Sequence, residues 1–549
     1  GERSGRRVGD RIGHARQVQR QVELRAPPGE PVGQLRAGRI ELAEDLEGLG
    51  RALVREGEQR ELHGILRVDE HVEAVVQAVR LLKEATTNQY LWQPGLAAGT
   101  PGQPAAGAVA APPALPMDAQ APILPSVPSA GAAAGDVLLK ASGNISLVSG
   151  KSITTNGGDA LLWANSDSVG SGNISLGSGA SVQTSGGNLV LAGGADDGAN
   201  GGTANDGTPD SYARGVGSSG ISTTGSFTLN SGSGALSLRG SSDLKVGVLL
   251  SATAASTGNL TTTSGRMDVM GVVDTVAGLP SDTQIGVLTS GGGTINITSS
   301  TGLINISGEA TRYGVAFGVN YASPYASDTQ TQTVIQSGNV TSNAISIVGT
   351  GTSNGSHGLS LRGASTKVYA NAALGGITLS GVSTNWSSAI YSPVDVLAVS
   401  GPIRWLNSDS GSGIYAATTP ITFGSKSGVT GLDTSSSDVT INLKSLTGTP
   451  TLAVGTTGAV TVQGVDGTAA FGQSFNSSQF GLNANGQTMS GFVFGSPLNT
   501  QALTINQALS VNGPIKVYGG NISVSGNLNT TAGAALGDVL IKATGDISL

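Results

Sequence analysis

The chain has 549 residues, a formal net charge of −7 and no cysteine, which excludes a disulfide framework and a thiolate metal site. Fifteen of its basic and fifteen of its acidic groups share residues 1–84, so they cancel and leave no basic patch for nucleic acid. No apolar run reaches the roughly 20 residues that span a bilayer, so the chain is not expected to be an integral membrane protein.

Residues 1–85 are Arg- and Glu-rich, and "RIELAEDLEGLGRALVREGEQRELHGILRVDEHVEAVVQAVRLLKEA" (39–85) has helix-like apolar spacing. This reads as a solvated helical segment unrelated to the rest of the chain, of a composition that GC-rich DNA also gives in a wrong frame. Residues 86–130 hold nine of the 21 prolines and read as an extended linker. From 131 to 549 the texture changes. Glu309 is the one Glu beyond residue 84, while Asp, Asn, Ser and Gly abound, residues of turns and not of helix interiors. Between them stand short runs such as "NISL", "ALLWA", "NLVLAG", "LINISG" and "VTINL", which read as strands of three to six residues.

These strands repeat. "GNISLVSGKSITTNGGDALLWAN" (143–165) matches 172–194 at 12 of 23 positions, an offset of 29 residues. Repetition, short strands and absent helix signals predict an all-β, right-handed parallel β-helix, in which small apolar residues stack inward and Asn and Gly take the bends. At about 20 residues per coil, residues 131–549 would make roughly twenty coils. The competing fold, a string of antiparallel sandwiches, fits the 4% aromatic content poorly. On a larger scale 532–549 matches 130–147 at 14 of 18 positions. This reads as a module of many coils in a tandem array, with the chain stopping inside the next copy. The first Met, Met117, likewise reads as a sign of an internal fragment.

The stretch "GDVLLKASGNISL…SITTNGGDALLWANSDS…GNISL…SGGNLVLAGG" resembles the large repetitive exoproteins of Gram-negative bacteria related to filamentous haemagglutinin, as does "GPIKVYGGNISVSGNLNTTAGAALGDVLIKATGDISL" (513–549). The resemblance implies two-partner secretion through an outer-membrane partner and an extracellular or cell-surface location. It also implies a role in adhesion to cells, surfaces or biofilm matrix, by way of a host-cell or polysaccharide receptor. The family's secretion domain, with its Asn-Pro-Asn motifs, is not seen in 1–549.

Chemical motifs are sparse, and the expectation is a non-enzymatic chain without a cofactor. "GTSNG" (351–355), followed by His357, has the nucleophile-elbow spacing but no helix pattern after it. "SGKS" (149–152) lacks the glycine spacing of a phosphate loop, and Lys151 reads as a coil-edge residue. "GGADDGANGGTANDGTPD" (193–210) gathers Asp196, Asp197, Asp206 and Asp210. Such hard oxygens suit calcium, though the regular nonapeptide is missing and a projecting loop is the plainer reading. The same "GADD" resembles the paired carboxylates of pectin-degrading β-helix hydrolases, which makes a carbohydrate-active enzyme the alternative function. Trp163 and Trp405 share "W-x-N-S-D-S" and read as core or capping residues more than sugar platforms. Five of the eight Phe fall in 471–494 and read as an interior stack.

Overall fold

A computed structural model describes residues 135–549, except 199–202, 274–283, 321–329, 354–355, 384–385, 408–413, 417–419, 449–450, 466–469 and 532–536. The readings for 1–85 and 86–130 lie outside the described residues. Every paired strand runs parallel to its neighbour. The chain visits three sheets in turn, so that Val137–Lys140, Ile145–Leu147 and Ser152–Thr154 are covered in the next coil by Ala160–Ala164, Ile174–Leu176 and Ala180–Gln183. This is a parallel β-helix, and the antiparallel sandwich is excluded. The first sheet has fifteen strands, fourteen of them in one continuous path. Among the described residues there is no α-helix; short 3-10 turns occur, such as Ser477–Gln479 and Ala484–Gly486. Among the described residues no helix is long and apolar enough to cross a membrane.

Strand alternation sends every second side chain inward, and parallel register places it on its counterpart one coil below. In the first sheet Leu162, Leu191, Leu238, Val269, Ile306 and Ile347 form such a ladder. In the second sheet Ile174, Ile221, Val248, Val287, Val315 and Leu359 do the same. All are buried in a single core.

The bends are held by short polar side chains that reach the next coil. Asp136 Oδ1 accepts from the Asp159 N–H, Asp159 Oδ1 from Asn188 and Asn188 Oδ1 from Ala235, at 2.7, 2.7 and 3.0 Å. Beside this ladder the hydroxyls of Thr155, Thr184 and Ser231 donate to the carbonyls of Gly158, Gly187 and Gly234, each closing its own turn. Asn165, Asn205, Asn483 and Asn485 adopt the left-handed conformation expected of bend asparagines.

The 29-residue repeat is one coil, since Asn144 and Asn173 stack at that separation. The expected twenty coils of about 20 residues are corrected by the register. Along the first sheet a coil ranges from 21 residues, between Val439 and Val460, to 47, between Leu189 and Leu236. The longer coils carry excursions at the corners, which the strand path does not feel.

Two regions depart from the common plan. Over 236–383 the first-sheet strands lengthen to seven residues, and Gly240, Gly271, Gly308, Gly349 and Gly381 stack in register. Across the corner stand Gly247, Gly286, Gly314 and Gly358. A Cβ on Gly271, Gly308 or Gly349 would overlap the carbonyl of Gly286, Gly314 or Gly358 respectively. These glycines are required by close backbone approach and not by a positive φ. Further on, the second sheet gives way to a separate four-stranded one beginning at Phe475–Asn476. The third ends at Phe480–Gly481, to be followed by the pair Leu509–Val511 and Leu528–Thr530. Here Phe471, Phe475, Phe480, Phe492 and Phe494 are all buried and pack ring to ring at 4.7–6.2 Å, edge-on or tilted. The interior stack expected of them is what forms.

Candidate functional site

The acidic loop leaves the first sheet after Leu189–Gly193 and returns through antiparallel bridges, Gly193 with Ser211 and Gly172 with Arg214. It brings Asp196, Asp206 and Asp210 together, with one carboxylate oxygen of each within 4.8 Å of the others; Asp197 is not in the cluster. The main chain of the loop uses these carboxylates heavily. Asp196 accepts from the N–H groups of Asp206 and Gly207 at 3.1 and 2.8 Å. Asp206 accepts from the Thr208 N–H and hydroxyl at 2.9 and 2.6 Å, and Asp210 from the Gly198 N–H at 2.6 Å. Glycines give tight turns, turns leave N–H groups pointing inward, and the carboxylates accept from them. The arrangement holds a projecting loop in shape. Calcium takes six to eight oxygens, and three short acids engaged in this way do not by themselves make such a shell.

Beneath the loop lies Arg239, 1% exposed, on the outer side of strand Leu236–Ser242. Its Nη2 donates to the Asp210 carbonyl at 3.2 Å and its guanidinium faces the Tyr212 ring at 5.2 Å. Burial pushes this guanidinium below its usual range, while Tyr212 and the charges of Asp210 and Asp268 act the other way. In the next coil burial raises the Asp268 carboxyl above the ordinary Asp range, opposed by Arg266 at 2.8 Å and Asn305 at 3.1 Å. The sequence had no signal for this pair, because the two residues sit at outward positions of their strands, where burial is not expected.

The elbow geometry is not formed. Ser353 Oγ donates to the Thr311 carbonyl at 2.6 Å, and Asn354 and Gly355 lie outside the described residues. His357 opens the strand His357–Leu361 and stacks on Tyr313 of the preceding coil at 5.3 Å and 8°. The next element is another strand, Ser365–Ala370. Lys151 sits at an exposed coil edge beside the position of Ala180, as its repeat alignment implied.

Both tryptophans are buried, but on opposite faces. Trp405 points inward, donates to Ser388 Oγ at 3.1 Å and meets Phe423 edge-on at 5.6 Å. Ser388 in turn donates to Asn407 Oδ1 at 3.1 Å, and Asn407 to the Asn442 carbonyl at 2.9 Å. Trp163 points outward, donates to the Gly194 carbonyl at 2.7 Å and carries Lys140 over its ring at 3.5 Å. Neither ring offers an open face for sugar.

A feature without a sequence signal is a shallow groove of roughly 560 Å³ where the third sheet is interrupted. Its walls are Asn483, Gln487 and Thr488 on one side and Asn527 and Asn529 on the other, with Leu509 and Ser510 as floor. Asn483 Nδ2 donates to the carbonyls of Gln487 and Ser510 at 3.0 and 2.9 Å. Gln487 Nε2 donates to Ser425 Oγ at 3.1 Å. Asn527 and Asn529 are exposed on the two-stranded continuation of the sheet.

No known protein family, curated protein or solved structure matches this chain.

Proposed function

We propose that the chain is part of the shaft of a filamentous adhesin, released from or displayed on a Gram-negative cell through an outer-membrane partner, and that it attaches to cells, surfaces or biofilm matrix. The observation that supports this reading is the first sheet, which stacks fourteen strands in one continuous path. Each coil rests on its neighbours alone, so length can be gained without a new core. A chain without cysteine also suits export across an envelope, because no disulfide can form before it has passed. The resemblance to haemagglutinin-like exoproteins agrees with this role.

The test is retention. Beads coated with the full chain should be held on epithelial monolayers, glass or biofilm matrix several-fold better than beads coated with an unrelated protein. Equal retention on all three would overturn the reading. Depolymerisation of polygalacturonate that disappears in Asp196→Asn would replace it with the carbohydrate-active alternative.

A further inference from the structure

We infer that the groove beside Leu509–Val511 is a binding site for an uncharged polysaccharide strand lying along the stacking direction of the coils. The lining holds no Asp, Glu, Lys, Arg or His, so an ionic ligand would lose hydration there with no opposite charge to meet. It holds no aromatic ring either, which leaves no platform for a base or an aromatic side chain. What it offers is carboxamides and hydroxyls, each able to donate and accept, and this matches sugar hydroxyls, which do both.

The groove is built by a break in the ladder. Phe480–Gly481 ends the third sheet, and the chain then turns through Ala484–Gly486 instead of pairing with Leu509–Val511. In place of a strand ladder there is an isolated bridge between Met489 and Val511. A peptide strand could be imagined filling the gap, but the main chain is already engaged. The Ser510 carbonyl accepts from Asn483 Nδ2, and the Asn512 N–H donates to Met489. The carboxamides divide in the same way. Asn483 and Gln487 are spent on the protein, whereas those of Asn527 and Asn529 project from successive alternate positions of one exposed segment with no partner among the described residues. The residues come from three consecutive coils, so the groove runs about 10 Å at the usual strand spacing, the length of a short run of pyranose rings.

This site extends the attachment reading and rests on it only for the setting in which such a chain meets a polysaccharide. The experiment is calorimetric titration of the full chain with cellohexaose, maltohexaose and mannohexaose, and with hexagalacturonate as the charged counterpart. At least one neutral probe should bind, and Asn527→Ala with Asn529→Ala should weaken it about tenfold while the thermal midpoint stays unchanged, as expected for two lost hydrogen bonds. Ala508→Trp, which fills the groove from an exposed position without removing a hydrogen bond, should abolish binding. The inference is overturned if no neutral probe binds, if hexagalacturonate binds as well as they do, or if these variants bind like the parent. Beads carrying the double variant that adhere as before would also overturn the groove's share in attachment, and would leave attachment itself standing.

Discussion

The coils of 236–383 and those around 471–494 solve the same problem by opposite means. In the first region two strands of one coil are drawn together at a corner by removing side chains, and the interior is filled mostly by Val, Ile and Leu, with Phe317 among them. In the other region the second and third sheets break off and five phenyl rings fill the interior. The cross-section of the coil is therefore a local choice, set by side-chain volume at each level and passed only to the neighbouring coils.

The comparison can be broken most severely at the glycine corner. Gly308→Val places a side chain on the Gly314 carbonyl and should cost more than about 4 kcal/mol or prevent folding, an extreme among single substitutions. Gly428→Ala, at φ +82 with open space around it, should cost only about 1 kcal/mol. Similar denaturation midpoints for the two would contradict the close-approach argument. In the aromatic region Phe480→Ala should cost about 3–5 kcal/mol, whereas Ile306→Val in the glycine region should cost about 0.5–1.5 kcal/mol. Urea unfolding of both variants checks whether the rings carry that region.

Between the two regions stands Ser388, a buried polar group in the second-sheet ladder. It pairs with Leu359 on one side and Ile414 on the other. Ser388→Ala leaves Trp405 without its acceptor and Asn407 Oδ1 without its donor, and should cost about 1–3 kcal/mol by the same measurement. A neutral result would mean that the network is not a constraint.

The smallest expected effect is one of pH. Burial raises the Asp268 carboxyl, so between the ordinary Asp range and this raised value the folded chain keeps a proton that the unfolded chain has released. The contribution to stability is full below the ordinary range and is lost as pH rises through the raised value. Relative to Asp268→Asn, the parent chain should lose stability as the pH is raised from about 4 towards neutrality. A relative gain over the same interval would reverse the assignment.

Much of this architecture was legible because a parallel coil writes itself into local pattern. The offset between Asn144 and Asn173 is a coil, and the inward residues are those of short alternating runs. Coil number was not legible, since excursions such as the acidic loop add residues without adding strands. Nor was the side of a tryptophan. Trp163 is the fourth residue of Ala160–Ala164 and Trp405 the third of Ile403–Asn407, and one position exchanges the faces of a strand. The stacked glycines looked like turn glycines, because the sequence does not say which backbone another will approach. Asn527 and Asn529 resemble every other bend asparagine until the broken sheet shows that nothing among the described residues uses their amides.

The ladder of coils also has a mechanical meaning. Hydrogen bonds between neighbouring strands lie along the stacking direction, so tension applied along it loads the coils in series, and the weakest yields first and alone. A sideways load is shared by all three ladders of each coil. Each coil that lets go would release slack in proportion to its own length, about 70 Å for one of 21 residues and about 160 Å for one of 47 at full extension. Stretched from its ends, such a chain would lengthen in unequal steps, a shock absorber whose travel at each step is fixed by how far the loops of that coil wander.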